Sequence, residues 1–452
     1  MKKNPILAAA IAVILAAPVA ATAATDAEIA EMRRALEAVN RRLDTLEQQN
    51  QTLEARNQEL EAKNAKLEEK SVKLEEANDR QTDQIAQARA KSASADWASR
   101  IAWRGDLRYR HEYVEPEEAV NDQTRHRIRA RFGLTAKVND TLSATVQLAT
   151  NGGSNDPRST NQTLGSGFDR KGVAIDLASI DWKFAEGSSL VLGKMAQPFT
   201  KVPTYFWDGD ITPEGGAVRF ARGAFFANAY GWWLSEAGTT SDSNAVGAQL
   251  GIRQKFSDTF TLTGAVHYYD IGAVQGEITT LSTTPACVPN PTFFGGPQGN
   301  RTQTVAGCAR LLNDFNIWEA LAQADFRLGS LPLSVFANAA QNTEADEFDT
   351  AIAGGVTLGR ASAPGSWEIG YVYQDVEKDA LFGQFVDSDF GGGVTDTKGS
   401  VFRFGWAPAT NWVINGTYFL NDRFNDFPIN VGGTPTTGVG YDRWQLDFNV
   451  RY

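Results

Sequence analysis

The strongest constraint on this chain is a change of period. Between residues 26 and 90 the apolar residues recur every three or four positions; from Trp97 to the end they alternate with polar ones. Alternation is the geometry of an extended strand, whose successive side chains point to opposite faces. Leu142, Ala144, Val146 and Leu148 alternate with Ser143, Thr145 and Gln147; Ile180, Trp182 and Phe184 with Asp181 and Lys183. Val246, Ala248, Leu250 and Ile252 alternate with Gly247, Gln249 and Arg253, and Trp412, Ile414 and Tyr418 with Val413, Asn415 and Thr417. Counting such segments gives about sixteen, each half polar and half apolar.

Strands of about ten alternating residues, apolar outside and polar inside, are the signature of a transmembrane β-barrel. A soluble sandwich would also alternate, but would seldom carry so many aromatic residues at strand ends. The chain has 25 Phe, 11 Trp, 11 Tyr and 41 Gly, fitting aromatic girdles at two lipid interfaces and many turns. Its connections alternate in length. Asn139-Asp140, Glu186-Gly187-Ser188, Ser257-Asp258, Gly329-Ser330 and Pro408-Ala409-Thr410 are tight turns, and polar stretches near 150–172, 199–215, 271–314, 376–397 and 422–438 are long loops. Short periplasmic turns and long outer loops are the outer-membrane arrangement. With an even strand number, both ends of the barrel are expected in the periplasm. The last segment presents Trp444, Leu446, Phe448, Val450 and the terminal Tyr452 on one face.

The stretch TRHRIRARFGLTAKV (124–138) sets Arg125, Arg127, Arg129 and Arg131 on one face and Ile128, Ala130, Phe132 and Leu134 on the other. The strand before it does the same, with Arg100, Arg104, Asp106, Arg108 and Arg110 opposite Ile101, Trp103, Leu107 and Tyr109. The two form a hairpin whose polar face is a basic wall inside the barrel, where a confined aqueous space strengthens its field. Pairing with interior carboxylates such as Asp106 and Glu112 is the plainer reading of the same residues. The whole chain is acidic, with net charge −11, which argues against nucleic acid as a partner.

The first fifth is built differently. Lys2 and Lys3, the apolar run Ile6 to Ala17 and the small residues Ala21-Thr22-Ala23 read as a secretory signal over 1–23, cut before Ala24. That run is too short to anchor the chain across the bilayer. Residues 24–92 then carry a heptad. Ile29, Leu36 and Leu43 take one seam position, continued by Asn50, Asn57, Asn64, Ser71, Asn78 and Ile85; Met32, Val39, Leu46, Leu53, Leu60, Leu67 and Leu74 take the other. This predicts a coiled-coil stalk roughly 95 Å long in the periplasm, with seam asparagines fixing register. The barrel is expected over 97–452.

The stretches TRHRIRARFGL, LVLGKMAQPF, FWDGDITPEGGA and WQLDFNVRY, with this layout, resemble the putative porin family of Gram-negative bacteria, outer-membrane β-barrels of which many have an N-terminal coiled coil. A final strand ending on an aromatic residue likewise resembles the assembly signal of outer-membrane barrels. The resemblance implies a homotrimer with one water-filled channel per chain. It also implies that the third outer loop, Phe199 to Gly215, folds inward and narrows the channel. That loop carries Lys201, Asp208, Asp210 and Glu214 with Tyr205, Phe206 and Trp207, and acidic groups facing the basic wall would set a transverse field. Asp208 and Asp210 could instead cap a turn; the DGD spacing lacks the further ligands of a calcium loop.

Cys287 and Cys308, the only cysteines, lie in the longest loop of an exported chain and are expected to form a disulfide. His111 and His126 have outward parity and His267 inward, none beside a Ser and carboxylate at a recognisable spacing. No nucleotide fingerprint is present. The expectation is a non-enzymatic porin, without cofactor or metal, for passive diffusion of ions and small hydrophilic solutes, its partners further copies of itself and outer-membrane lipid. Two alternatives stand beside it: a structural tether from outer membrane to peptidoglycan, and a substrate-specific anion channel.

Overall fold

The structure, a computed structural model, describes residues 26–92, 96–151, 156–236, 242–283 and 286–452; the signal expected over 1–23 lies outside them. The chain divides at Asp96/Trp97 into two units.

The first unit contains one helix, α1, Asp26–Ser92, of 67 residues. It has neither Gly nor Pro to break it, and four Glu-to-base pairs four residues apart support it: Glu37–Arg41, Glu59–Lys63, Glu69–Lys73 and Glu76–Arg80. In each the glutamate is the N-terminal partner, the orientation that favours a helix. The seam leucines, from Leu36 to Leu74, are exposed along it.

The second unit is a closed antiparallel barrel of sixteen strands. In order they are β1 Ile101–Pro116, β2 Gln123–Lys137, β3 Leu142–Asn151, β4 Gly172–Ala185, β5 Ser188–Lys194, β6 Glu214–Arg222, β7 Phe225–Ser235 and β8 Ser243–Ser257. The second half is β9 Phe260–Gly272, β10 Phe315–Leu328, β11 Leu331–Asn342, β12 Thr350–Gly359, β13 Trp367–Val376, β14 Thr397–Ala409, β15 Trp412–Arg423 and β16 Val439–Arg451. Each pairs with its sequence neighbours, and β1 closes on β16 from Asp106↔Arg451 to Pro116↔Tyr441, leaving no edge strand. The closing seam ends on the C-terminal residue: Gly105 and Tyr452 exchange backbone hydrogen bonds of 2.9 and 3.0 Å. A Cβ on Gly105 would stand 2.4 Å from the Tyr452 ring, so only glycine leaves room for it there.

The expected parity holds. Trp103, Leu107, Phe132, Ile180, Trp182, Leu250, Trp318, Phe402, Phe404 and Val450 are exposed on the outer face, as lipid-facing residues must be. Glu112, Asn228, Gln249, His267, Glu319, Asn338, Gln374 and Arg443 are buried on the inner one. One end of the barrel has tight turns, such as that at Asn139, whose Oδ1 accepts from the N–H groups of Thr141 and Leu142; the other has the long loops.

The interior departs from a simple polar lining. Phe315, Ile317, Phe336, Val372, Val401 and Phe419 also face inward and are buried. They seat two loops that enter the barrel: the third outer loop (195–213), as the resemblance implied, and the seventh (377–396), which was read as one more polar outer loop. Phe206, Trp207, Leu381, Phe382 and Phe390 from these loops are almost fully buried. An inward loop needs an apolar seat to offset the ordering of its backbone.

The fifth loop (273–314) lies against the seventh. Asn300 Nδ2 donates to the carbonyls of Lys378 and Leu381 at 2.9 and 2.8 Å. Its disulfide, Cys287–Cys308, is formed, with Cα atoms 5.7 Å apart. Closing this loop restricts the unfolded chain by roughly 3 kcal/mol. Replacing both cysteines by alanine is expected to make residues 273–314 more protease-sensitive and to lower the barrel's melting temperature by a few degrees. Equal protection with and without the bridge, measured by limited proteolysis, would count against this.

Candidate functional site

The basic wall forms where β1, β2 and β16 meet. Strand register sets Arg110 opposite Arg127 and Arg108 opposite Arg129, so like charges sit side by side and need carboxylates between them, while Asp106 stands opposite Arg131. These are supplied locally and from far along the chain. Arg129 and Arg131 both reach Asp106, at 2.9 and 2.7 Å. Glu112, with no exposed side-chain surface, is ringed by Arg125 at 2.9 Å, Arg127 at 3.5 Å and Arg443 at 3.4 Å. Arg110 holds Asp447 with two bonds of 2.7 and 2.9 Å, the fork geometry that makes such pairs strong. Arg108 is the least compensated of these, with Nε 3.0 Å from Asn449 Oδ1 and 3.7 Å from Asp447 Oδ2. Arg100 and Arg104 are exposed at the turn end, apart from this cluster.

The third loop crosses the barrel and is fastened strand by strand. The Thr200 N–H donates to Gln249 Oε1 and Gln249 Nε2 to the Thr200 carbonyl, both at 2.8 Å. The Tyr205 N–H donates to Gln374 Oε1 at 2.8 Å. At the centre of the seat, Glu319 accepts from Trp207 Nε1 at 3.2 Å and Asn338 Nδ2 at 2.8 Å, with His267 Nδ1 at 3.3 Å. Tyr230 Oη lies 2.9 Å from His267 Nε2, and the Phe199 ring packs against His267, centroids 4.6 Å apart. His267 thus has the inward parity expected and serves this seat; His111 and His126 lie on the outer face, their rings 4.8 Å apart.

The seventh loop locks onto the third. The Asp208 N–H donates to the Phe385 carbonyl and the Ser388 N–H to Asp208 Oδ2, both at 2.8 Å. Each loop carries an Asp-x-Asp turn in which the first carboxylate caps the second residue: Asp210 N–H to Asp208 Oδ1 at 2.7 Å, Asp389 N–H to Asp387 Oδ1 at 2.9 Å. The turn-capping alternative therefore describes Asp208 and Asp210. The second residue of each turn faces the wall. Asp210 Oδ1 stands 3.6 Å from Arg129 and 3.9 Å from Arg131; Asp389 is clamped by Arg110 at 2.9 Å and Arg443 at 2.5 Å.

Of the other loop residues singled out from sequence, Lys201 is exposed, donating to Gln197 Oε1 at 2.6 Å. Glu214 is 63 % exposed and pairs at 3.0 Å with Lys194, a strand-end lysine outside the wall. Sequence reasoning missed Asp387, Asp389, Arg443 and Asp447 as members of this site. The signals were present: Asp447 has inward parity in β16, and DSD at 387–389 repeats the DGD of the third loop.

Three carboxyls at the loop junction are displaced from the ordinary range. Burial, then the charge of Asp387, pushes Asp208 well up. Burial would also raise Asp389, but Arg110 and Arg443 outweigh it and hold that carboxyl well below the usual range. Burial, then the charge of Asp389, pushes Asp387 up to about 7. A carboxyl raised by folding contributes stability at low pH that is lost as pH rises through its folded value. It also adds a negative charge to the junction on the same rise. Cation preference is thus expected to increase between about pH 6 and 8, and Asp387→Asn to flatten the step. Reversal potentials that do not change over that range in the native chain would refute the assignment.

A closed barrel with aromatic, lipid-facing walls, inward loops and a charged interior defines an outer-membrane channel protein. A family model described as putative porin matches residues 113–292 and 321–452, and the chain belongs to the putative porin family. Among solved structures, OprB of Pseudomonas putida at high pH shares the fold, with a TM-score of 0.53 and 12 % identity over 81 % of this chain and 97 % of that one. OmpF of Salmonella typhi in complex with daunomycin has a TM-score of 0.46 and 12 % identity over 78 % and 97 %. In-vitro folded OmpT of Vibrio cholerae, in trimer form, has 0.43 and 10 % over 78 % and 99 %. No curated protein matches the chain.

Proposed function

We propose that this outer-membrane channel passes ions and small hydrophilic solutes by diffusion, without catalysis, through the space left beside the two inward loops. The observation that carries the reading is Asp210, on a loop fastened across the barrel, facing Arg129 and Arg131 of the opposing wall at 3.6 and 3.9 Å. Opposed fixed charges bordering an aqueous passage orient water and polar solutes there, and disfavour apolar ones, which gain nothing from the field. Seven arginines of the wall (Arg108, Arg110, Arg125, Arg127, Arg129, Arg131 and Arg443) are met by Asp106, Glu112, Asp210, Asp389 and Asp447. That imbalance supports a modest anion preference.

The exposed leucine seam of α1 supports assembly through a coiled coil, in this reading of three copies and in the periplasm. The same 67-residue helix favours a second reading, a tether toward peptidoglycan, compatible with the first. The test is single-channel recording of the full mature chain in a planar bilayer under a salt gradient, beside a variant lacking residues 26–90. Openings in groups of three from the full chain, and single openings of equal size from the variant, are expected. No conductance from a correctly folded barrel would sink the diffusion reading and leave the tether in front.

A further inference from the structure

Two adjoining cavities lie at the loop end of the barrel, where the short hairpin β5–β6 leaves its neighbours standing higher: β4 has no β5 partner before Ala178, and β7 none on β6 beyond Trp232. The larger, about 270 Å³, is lined by hydroxyl and carboxylate side chains including Ser159, Thr160, Asp156, Asp176 and Asp210. The second, about 230 Å³, is lined by Trp232, Trp233, Phe294, Phe385, Gln384 and the Lys194–Glu214 pair. Pro157, Lys194 and Thr212 line both, so the two adjoin, and Asp210 lies on the wall of the first.

The second cavity contains an unusual pair of atoms. Trp232 and Gln384 are 2 % and 1 % exposed, yet Trp232 Nε1 and Gln384 Oε1 have no hydrogen-bond partner in the protein. Gln384 Nε2 is fixed by the Gly296 carbonyl at 2.7 Å, which determines where its oxygen points. One orphan donor and one orphan acceptor, both buried within residues that line the same space, are costly when left unpaired, and natural folds keep few of them without a reason.

We propose that this cavity is a binding site for a small neutral solute rich in hydroxyl groups, a polyol or monosaccharide, which it passes on toward Asp210. The reading rests on the diffusion channel proposed above. Three features select the class. Lys194 and Glu214 neutralise each other at 3.0 Å, so a charged solute meets no uncompensated partner. An apolar solute would bury Trp232 Nε1 and Gln384 Oε1 without satisfying either. A hydroxylated ring offers donors and acceptors at its edge and C–H groups to the aromatic part of the lining. The volume also lies below the roughly 300–1,000 Å³ of sites for drug-sized ligands. Beyond it, the carboxylates and hydroxyls of the first cavity supply acceptors and donors for a solute moving inward.

The test is block of ion current by myo-inositol and glucose in the full mature chain, with leucine and succinate as controls, alongside quenching of tryptophan emission. Saturable block by the two polyols is expected, weakened about tenfold by Trp232→Phe, which keeps a ring and removes the N–H. Gln384→Leu, checked by near-ultraviolet circular dichroism for retained packing, should do the same from the acceptor side. A conducting channel that no polyol blocks overturns the site and leaves the diffusion reading standing. Block that both variants leave unchanged, or that leucine or succinate matches, also overturns it. A barrel that does not conduct but whose emission titrates with inositol in a Trp232-dependent way supports the site and removes the diffusion reading.

Discussion

A channel carrying Arg129→Gln and Arg131→Gln together is expected to turn strongly cation-selective. Both guanidiniums pair with Asp106 and face Asp210. Removing them leaves two carboxylates facing one gap with nothing between them. The local charge falls by about two units in a space where screening by bulk water is weakest. Under a tenfold salt gradient the reversal potential should move by tens of millivolts toward the cation limit, about 59 mV for a monovalent ion. Glutamine retains hydrogen-bonding capacity, so wall packing is largely kept. Asp210→Asn, which removes the opposing charge alone, should shift the potential the other way. If both variants fold and give the native reversal potential, ions do not pass between the third loop and this wall.

Glu319→Ala is expected to have the second large effect, on the size and steadiness of the current. Glu319 is the acceptor for Trp207 Nε1 and Asn338 Nδ2 and the partner of His267, all three buried. Removing it strands Trp207 Nε1 and His267 Nδ1 inside an aromatic seat, at about 1–3 kcal/mol each, and leaves Asn338 Nδ2 only Thr204 Oγ1 at 3.3 Å. The cheapest relief is for Trp207 to leave, and the third loop with it. Unitary conductance should then rise and flicker, while the barrel, whose sheet bonds are untouched, keeps its melting temperature within a few degrees. Glu319→Gln retains an acceptor for Trp207 and should lie between the two. A folded Glu319→Ala channel with native conductance and native noise would show that this seat does not hold the loop.

The effects differ in kind because the two inward loops are held differently. Outside the interlock of Asp208 with Phe385 and Ser388, the third loop is fastened by neutral hydrogen bonds to Gln249 and Gln374, by one buried carboxylate, and more loosely by Asp210 facing Arg129 and Arg131 at 3.6 and 3.9 Å. The seventh is fastened by charge, through Asp389 between Arg110 and Arg443, and by Arg158, whose Nη1 donates to the carbonyls of Gly383 and Gly393 at 3.1 and 2.6 Å. Loss of the Arg110 or Arg443 guanidinium should therefore act first on the seventh loop and removal of Glu319 first on the third.

The strands, their number, which face of each meets lipid, and the alternation of turns and loops follow from local order. A period of two is a property of consecutive residues, and a lipid-facing residue must be apolar whatever its neighbours are. The arginine row belongs to the same class: Arg125 to Arg131 share a face by spacing alone. The inward parity of His267 and the outward parity of His111 and His126 were legible for the same reason. The heptad of α1 is equally local, and its leucines line one exposed seam.

Which charges meet, and which loops enter, depends on contacts between segments far apart in the chain. Asp389 reaches Arg110 across 279 residues, and Asp447 reaches it across 337. The DSD at 387–389 repeats the DGD of the third loop, but it does not say which strands or guanidiniums the seventh loop meets. That loop enters because Phe382, Val386 and Phe390 find apolar inward residues on distant strands, Phe315 and Phe419 among them, and because buried guanidiniums need a counter-charge. Burial and ion pairing are satisfied only by the closed barrel, so they are written in its three-dimensional arrangement and not in the spacing of neighbours.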